Sequence, residues 1–155
     1  MNITSTREFN DEADRLRSSG DTKGLYDLAE KYGIEKEDAE DYMDGAETLA
    51  TPLMLALAAV ERDRKKLDTK GVIGDWMGVL ESMAADSEDL AEKIVFDGKQ
   101  IKGLLGKILK QAFEGKVRVN DDIAKAAGIR TPLYMGIPGT GDVKKIIGEF
   151  YGVTV

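Results

Sequence analysis

The apolar residues of this chain recur mostly at intervals of three and four, the period of an α-helix and not of a strand. Ser5 and Glu8 have capping-box spacing and start a helix expected to run to about Ser18, where Gly20 ends it. Asp21 is the expected cap of a second helix carrying Leu25, Leu28, Ala29 and Tyr32, stopped by Gly33. Ile34 opens a tight link into a third helix, roughly Glu35 to Asp44, with Gly45 after it. Thr51-Pro52 is a strong start signal, a capping hydroxyl followed by proline at the first helical position, for a long helix through Leu53, Leu57, Val60 and Leu67. Two more follow, about Val72 to Ala84 and Ser87 to Val95, the second closed by Gly98.

The best-defined helix spans about Gln100 to Glu114. Ile101, Leu104, Leu105, Ile108, Leu109, Ala112 and Phe113 read as one core-facing stripe. Burying such a set is worth on the order of 10 kcal/mol before conformational entropy is subtracted. Its other face carries Lys99, Lys102, Lys107 and Lys110. Val117-Arg118-Val119 and Leu133 to Ile137 are candidate strands around a small helix capped by Asn120, and Pro138-Gly139-Thr140-Gly141 turns into a last helix, Asp142 to Tyr151. The expected fold class is all-α or mainly α: a compact bundle of seven to eight short helices with at most one small β-hairpin near residues 117–137. Residues 1–155 read as one globular domain, divisible into an acidic N-terminal helical subdomain (1–50) and a core (51–155).

Composition removes chemistry more than it adds any. The chain contains no histidine and no cysteine, which excludes structural zinc sites, thiol nucleophiles, disulfides and histidine general bases. No acid–base pair can be singled out among 29 carboxylates, so no catalytic residue, cofactor or metal site is expected. The most apolar stretch, Leu49 to Val60, is far too short to cross a membrane. The first residues lack the basic segment and apolar run of a signal peptide. A cytoplasmic protein of bacterial or phage origin is expected.

Charge is unevenly spread. Residues 1–50 hold 14 acids against 6 bases, a net of −8, whereas residues 99–130 hold 3 acids against 8 bases, a net of +5. Such polarity suits partners of opposite sign. Leu25 to Tyr42 has helix-turn-helix spacing, with Leu28, Tyr32, Ile34, Ala39 and Tyr42 at the positions such a pair buries. The second helix, however, bears Glu35, Glu37, Asp38, Glu40, Asp41 and Asp44 against the single base Lys36. A carboxylate about 6 Å from a phosphate costs ~0.7 kcal/mol even at water's dielectric constant, so this helix is unsuited to a DNA groove and suited to a basic protein. Gly136 to Asp142 is glycine-rich between a strand and a helix, yet it lacks the Lys-Ser/Thr of a phosphate loop, and a turn requiring positive φ is the expected reason for its glycines. Lys99, Lys102, Lys107 and Lys110, with Lys116 and Arg118, form the alternative candidate surface, for a phosphate backbone; no aromatic residue interleaves with the four lysines from Lys99 to Lys110 along the sequence.

Ser87-Glu-Asp-Leu-Ala-Glu-Lys-Ile94, Asp97-Gly-Lys-Gln-Ile-Lys-Gly-Leu104 and Ile108-Leu-Lys110 together resemble the helical core of PcfK-like proteins, over about residues 85–130. In that family a short acidic helix leads through a glycine into a lysine-rich amphipathic helix; cysteine often stands where this chain has Leu104. The resemblance implies a small protein of a conjugative element or prophage, and some relatives are described as Cas9 inhibitors. It carries over no active-site residue. The function expected is therefore non-catalytic binding by an acidic protein of a mobile element, of anti-CRISPR type, engaging a basic nucleic-acid-binding protein. The alternative is a nucleic-acid-binding accessory protein of replication or conjugation that uses the 99–130 region.

Overall fold

The computed structural model describes residues 2–154. The elements in order are α1 (Thr6–Ser18), α2 (Thr22–Lys31), α3 (Lys36–Met43), α4 (Pro52–Leu67), α5 (Gly71–Asp86), α6 (Glu88–Phe96), α7 (Ile101–Glu114), β1 (Val117–Arg118), α8 (Asp121–Ala126), β2 (Tyr134–Met135) and α9 (Thr140–Tyr151). The protein is mainly helical with one small antiparallel hairpin, in which Val117 pairs with Met135 and Arg118 with Tyr134. The described residues hold nine helices, one above the expected seven to eight and one for each segment read as helical, α8 being the small helix capped by Asn120.

The expected caps set the helix starts. Ser5 Oγ accepts from the Glu8 N–H at 3.1 Å, and Asp21, Thr51 and Ser87 accept likewise from Gly24, Met54 and Leu90. Glu8 does not reach back to Ser5; its carboxylate accepts from the N–H and hydroxyl of Thr4, at 2.7 and 2.8 Å. Those bonds, the backbone one foremost, lower its pKa.

The buried side chains form two clusters that meet on α4. One joins Phe9, Leu16, Leu25, Ile34 and Tyr42 from α1 to α3 with Leu49, Ala50 and Leu55. The other gathers Val60, Met77, Leu80, Leu90, Leu104, Ile108 and Ile147 from α4 to α9. An aromatic chain links the two halves: Phe9 meets Tyr32 edge-on at 4.9 Å, and Tyr32 lies 6.4 Å from Phe96 of α6. The Asn10 amide donates to the Ala50 carbonyl and accepts from its N–H, at 2.9 and 3.2 Å, tying α1 to the entry of α4.

Three expectations need correction. The α7 stripe buries five residues and not seven: Leu109 is 53% and Phe113 67% exposed. At about 100° per residue, the five buried positions span an arc of about 100°, and adding Leu109 and Phe113 stretches it to about 180°, wider than the faces of α9 and the hairpin cover. Second, α9 begins at Thr140, two residues before the expected start. Third, the glycines before α9 are not there for positive φ, since Gly136, Gly139 and Gly141 all lie outside that region. Gly136 answers a close approach instead. A Cβ there would sit 2.2 Å from the Ala112 carbonyl oxygen and 2.8 Å from Lys116 Cα, so the hairpin's return strand lies directly on the end of α7.

Candidate binding surfaces

The acidic helix is held by its neighbours, and the holding explains its orientation. Gly33, between α2 and α3, has φ +76°, and a Cβ on it would lie 2.9 Å from the Cβ of Ala58. The turn therefore presses on α4 and admits only glycine without strain. At the other end, Tyr42 is fully buried and donates its hydroxyl to the Asp14 carboxylate of α1. Burial first, and this bond second, push the Tyr42 pKa up to about 12. The Arg17 guanidinium stacks 3.9 Å from the Tyr42 ring and donates through Nη1 to the carbonyls of Tyr42 and Ala46, at 2.8 and 2.9 Å. It thus adds a second donor to the Tyr42 carbonyl, which also accepts from the Gly45 N–H at 3.1 Å, and holds the Ala46 carbonyl beyond the helix end.

Held this way, α3 turns Ala39 and Tyr42 inward, and Glu35, Glu37, Glu40, Asp41 and Asp44 stand exposed. Glu37, Glu40, Asp41 and Asp44 fall at i, i+3, i+4 and i+7, which is one face. Lys36 to Glu40, at 4.0 Å, is the one ion pair these acids make among the described residues. The last turn has no basic residue, so Glu40 and Asp41 oppose the negative end of the helix dipole, a cost of about 0.3–1 kcal/mol for each such charge. Helix stability does not account for this pattern. Asp38 is half-buried and borders a groove of about 870 Å³ between the α2–α3 turn and α4, lined also by Ile34, Met54 and Leu57, with Arg62 and Lys66 across it.

The basic candidates are dispersed. Lys99 is tied to α9: its Nζ donates to the Phe150 carbonyl at 2.7 Å and pairs with Asp97 at 3.4 Å. Lys110 pairs with Glu114 at 3.9 Å, Arg118 with Asp121 at 3.2 Å, and Lys116 lies 4.3 Å from the Phe113 ring centroid. Lys102 and Lys107 make no ion pair among the described residues, and helical geometry sets them about 140° apart around α7. The stripe of phosphate-binding lysines is not assembled. What the sequence reading missed on this face is its apolar content: besides Leu109 and Phe113, Val117, Met135 and Ile137 are exposed and border a cavity of about 270 Å³. The signal was present in the angular width of the α7 stripe.

Among the described residues no group of three or more acidic side chains is placed to hold a metal ion, and no helix is long and apolar enough to cross a membrane. Comparison with protein-family models, with curated proteins and with solved structures finds no match to this chain.

Proposed function

We propose that this protein acts by binding and not by catalysis, and that the acidic face of α3 takes a basic, nucleic-acid-binding protein as its partner. One observation carries the reading: four exposed carboxylates share one face of a helix with a single ion pair among them. From Glu37 to Asp44 the helix rises about 10 Å, one carboxylate per ~3.5 Å. A DNA strand carries one charge per about 3.4 Å of axis. The α3 face thus matches the linear charge density of a single strand and can compete for a channel built to hold one. The PcfK-like resemblance favours a CRISPR nuclease as that partner and the cytoplasm of a bacterium carrying the element as the place of action.

The test is retention of a Cas9–guide RNA complex on the immobilised protein, together with inhibition of DNA cleavage, for the wild type and for a Glu37→Lys, Glu40→Lys, Asp41→Lys variant. Retention should drop at least tenfold in the variant and fall steeply for the wild type between about 50 and 200 mM salt, as charge-driven association requires. Unchanged retention by the charge-reversed protein defeats the proposal. Direct nucleic-acid contact through residues 99–130 has less support, because its basic residues do not line one face: Lys102 and Lys107 lie about 140° apart around α7, and Lys99 is tied to the Phe150 carbonyl. It predicts oligonucleotide binding that Lys102→Glu, Lys107→Glu and Lys110→Glu abolish.

A further inference from the structure

Independently of the acidic face, the outer side of α7 combines features that its own fold does not use. Leu109 and Phe113, one turn apart, are 53% and 67% exposed, whereas the exposed Val117, Met135 and Ile137 border a separate cavity that meets α7 at Gln111, Ala112 and Gly115. One turn before Leu109 stands Gly106, in mid-helix, with no atom within 4 Å of where its Cβ would be. Glycine in a helix interior costs about 1 kcal/mol against alanine, and no internal contact requires it here. Gly106, Leu109 and Phe113 lie within a narrow angular strip, so the glycine opens a shallow step beside two large apolar side chains. The charges around that strip are Lys102, Lys110 and Lys116, with Glu114 as the acid beside them.

We infer that this face is a docking site for an acidic amphipathic helix of a partner protein. The exposed leucine and phenylalanine receive its apolar side chains, the step at Gly106 lets its backbone approach closely, and the lysines pair with acids on its flanks. Charge decides among occupants. A second copy packed face to face would set lysines against lysines. A nucleic acid would leave Leu109 and the step at Gly106 unused, since only the Phe113 ring on this strip suits stacking.

The probe is a labelled 20-residue helical peptide with leucine at i, i+3, i+4 and i+7 spacing and glutamate on the remaining face. It is compared with its lysine counterpart and with a 20-nucleotide single strand, each titrated against the full chain. The acidic peptide should bind, and Gly106→Gln should weaken it at least tenfold while leaving the melting temperature equal or higher, because the added side chain points into open space. Phe113→Ala should weaken it comparably. Failure of the acidic peptide to bind, equal binding of the basic peptide, preference for the oligonucleotide, insensitivity to Gly106→Gln, or sedimentation showing that the face is occupied by a second copy would each overturn the assignment.

Discussion

Removing the Arg17 side chain is the sharpest probe of how the acidic helix is held. Arg17→Ala deletes two hydrogen bonds, to the carbonyls of Tyr42 and Ala46, and the guanidinium stacked at 3.9 Å on the Tyr42 ring. The Arg17 side chain is 30% exposed, so water replaces part of what is lost. A hydrogen bond from a charged donor is worth about 1.5–3 kcal/mol when well buried, and solvent access brings these two to about 1 kcal/mol or less each. The stacked cation adds ~0.5–1 kcal/mol. The total is about 2 kcal/mol, which in a domain of this length lowers the melting temperature by roughly 4–8 °C. Thermal unfolding followed by circular dichroism reads it directly. Arg17→Lys keeps the charge and loses the planar fork, and should recover less than half of the deficit. A melting temperature within 1 °C of wild type for Arg17→Ala would refute the clamp. The same variant separates two contributions to partner binding, since it makes the region more negative while loosening α3. Tighter retention of a basic partner would mean that charge alone matters; weaker retention, that the fixed geometry does.

Gly136→Ala should destabilise the protein by at least ~2 kcal/mol, since a methyl group 2.2 Å from the Ala112 carbonyl oxygen must push the hairpin off α7; chemical denaturation checks it, and a neutral result would mean the strand has room to move. Gly106→Ala should do the reverse and stabilise by about 0.5–1 kcal/mol, measured the same way. Tyr42, with its pKa raised to about 12 from 10.0, holds its proton more tightly folded than unfolded. Its contribution, on the order of 2 kcal/mol, is complete below pH 10 and is lost as pH rises toward 12; Tyr42→Phe should flatten that part of the stability–pH curve.

Much of the fold could be read from the chain because its signals are local. Ser5, Asp21, Thr51 and Ser87 cap the helices they precede, and a cap acts over three residues whatever lies elsewhere. The burial of Ala39 and Tyr42, and with it the outward turn of the acidic side chains, follows from one short helix having one inward face. The misreadings are tertiary. Leu109 and Phe113 continue the helical period of α7, yet whether a neighbour covers them depends on how far α9 and the hairpin reach around the helix. Gly136 resembles a turn glycine in sequence, but its reason is a backbone carbonyl from a segment 24 residues earlier, at Ala112. Arg17 could not be identified from the sequence at all, because nothing in α1 announces that its guanidinium will rest on a tyrosine of α3.

The meeting of two apolar clusters on α4 bears on how the molecule opens. Leu55 belongs to the cluster of α1 to α3, while Ala56, Ala59 and Val60 belong to the other. Parting the two requires separating the Phe9–Tyr32–Phe96 chain, breaking the hydrogen bonds of Thr6 to Glu92, Asn10 to Ala50 and Arg62 to Lys31, and exposing Leu55, without disturbing Met77, Leu80 or Ile108. The N-terminal helices can therefore detach as a cooperative unit below the free energy of global unfolding, and their amides should exchange with solvent hydrogen as one group, ahead of those in α4 to α7. A partner seated on α3 binds only the closed form, so it should slow that exchange in proportion to its occupancy and leave the exchange of α7 nearly unchanged.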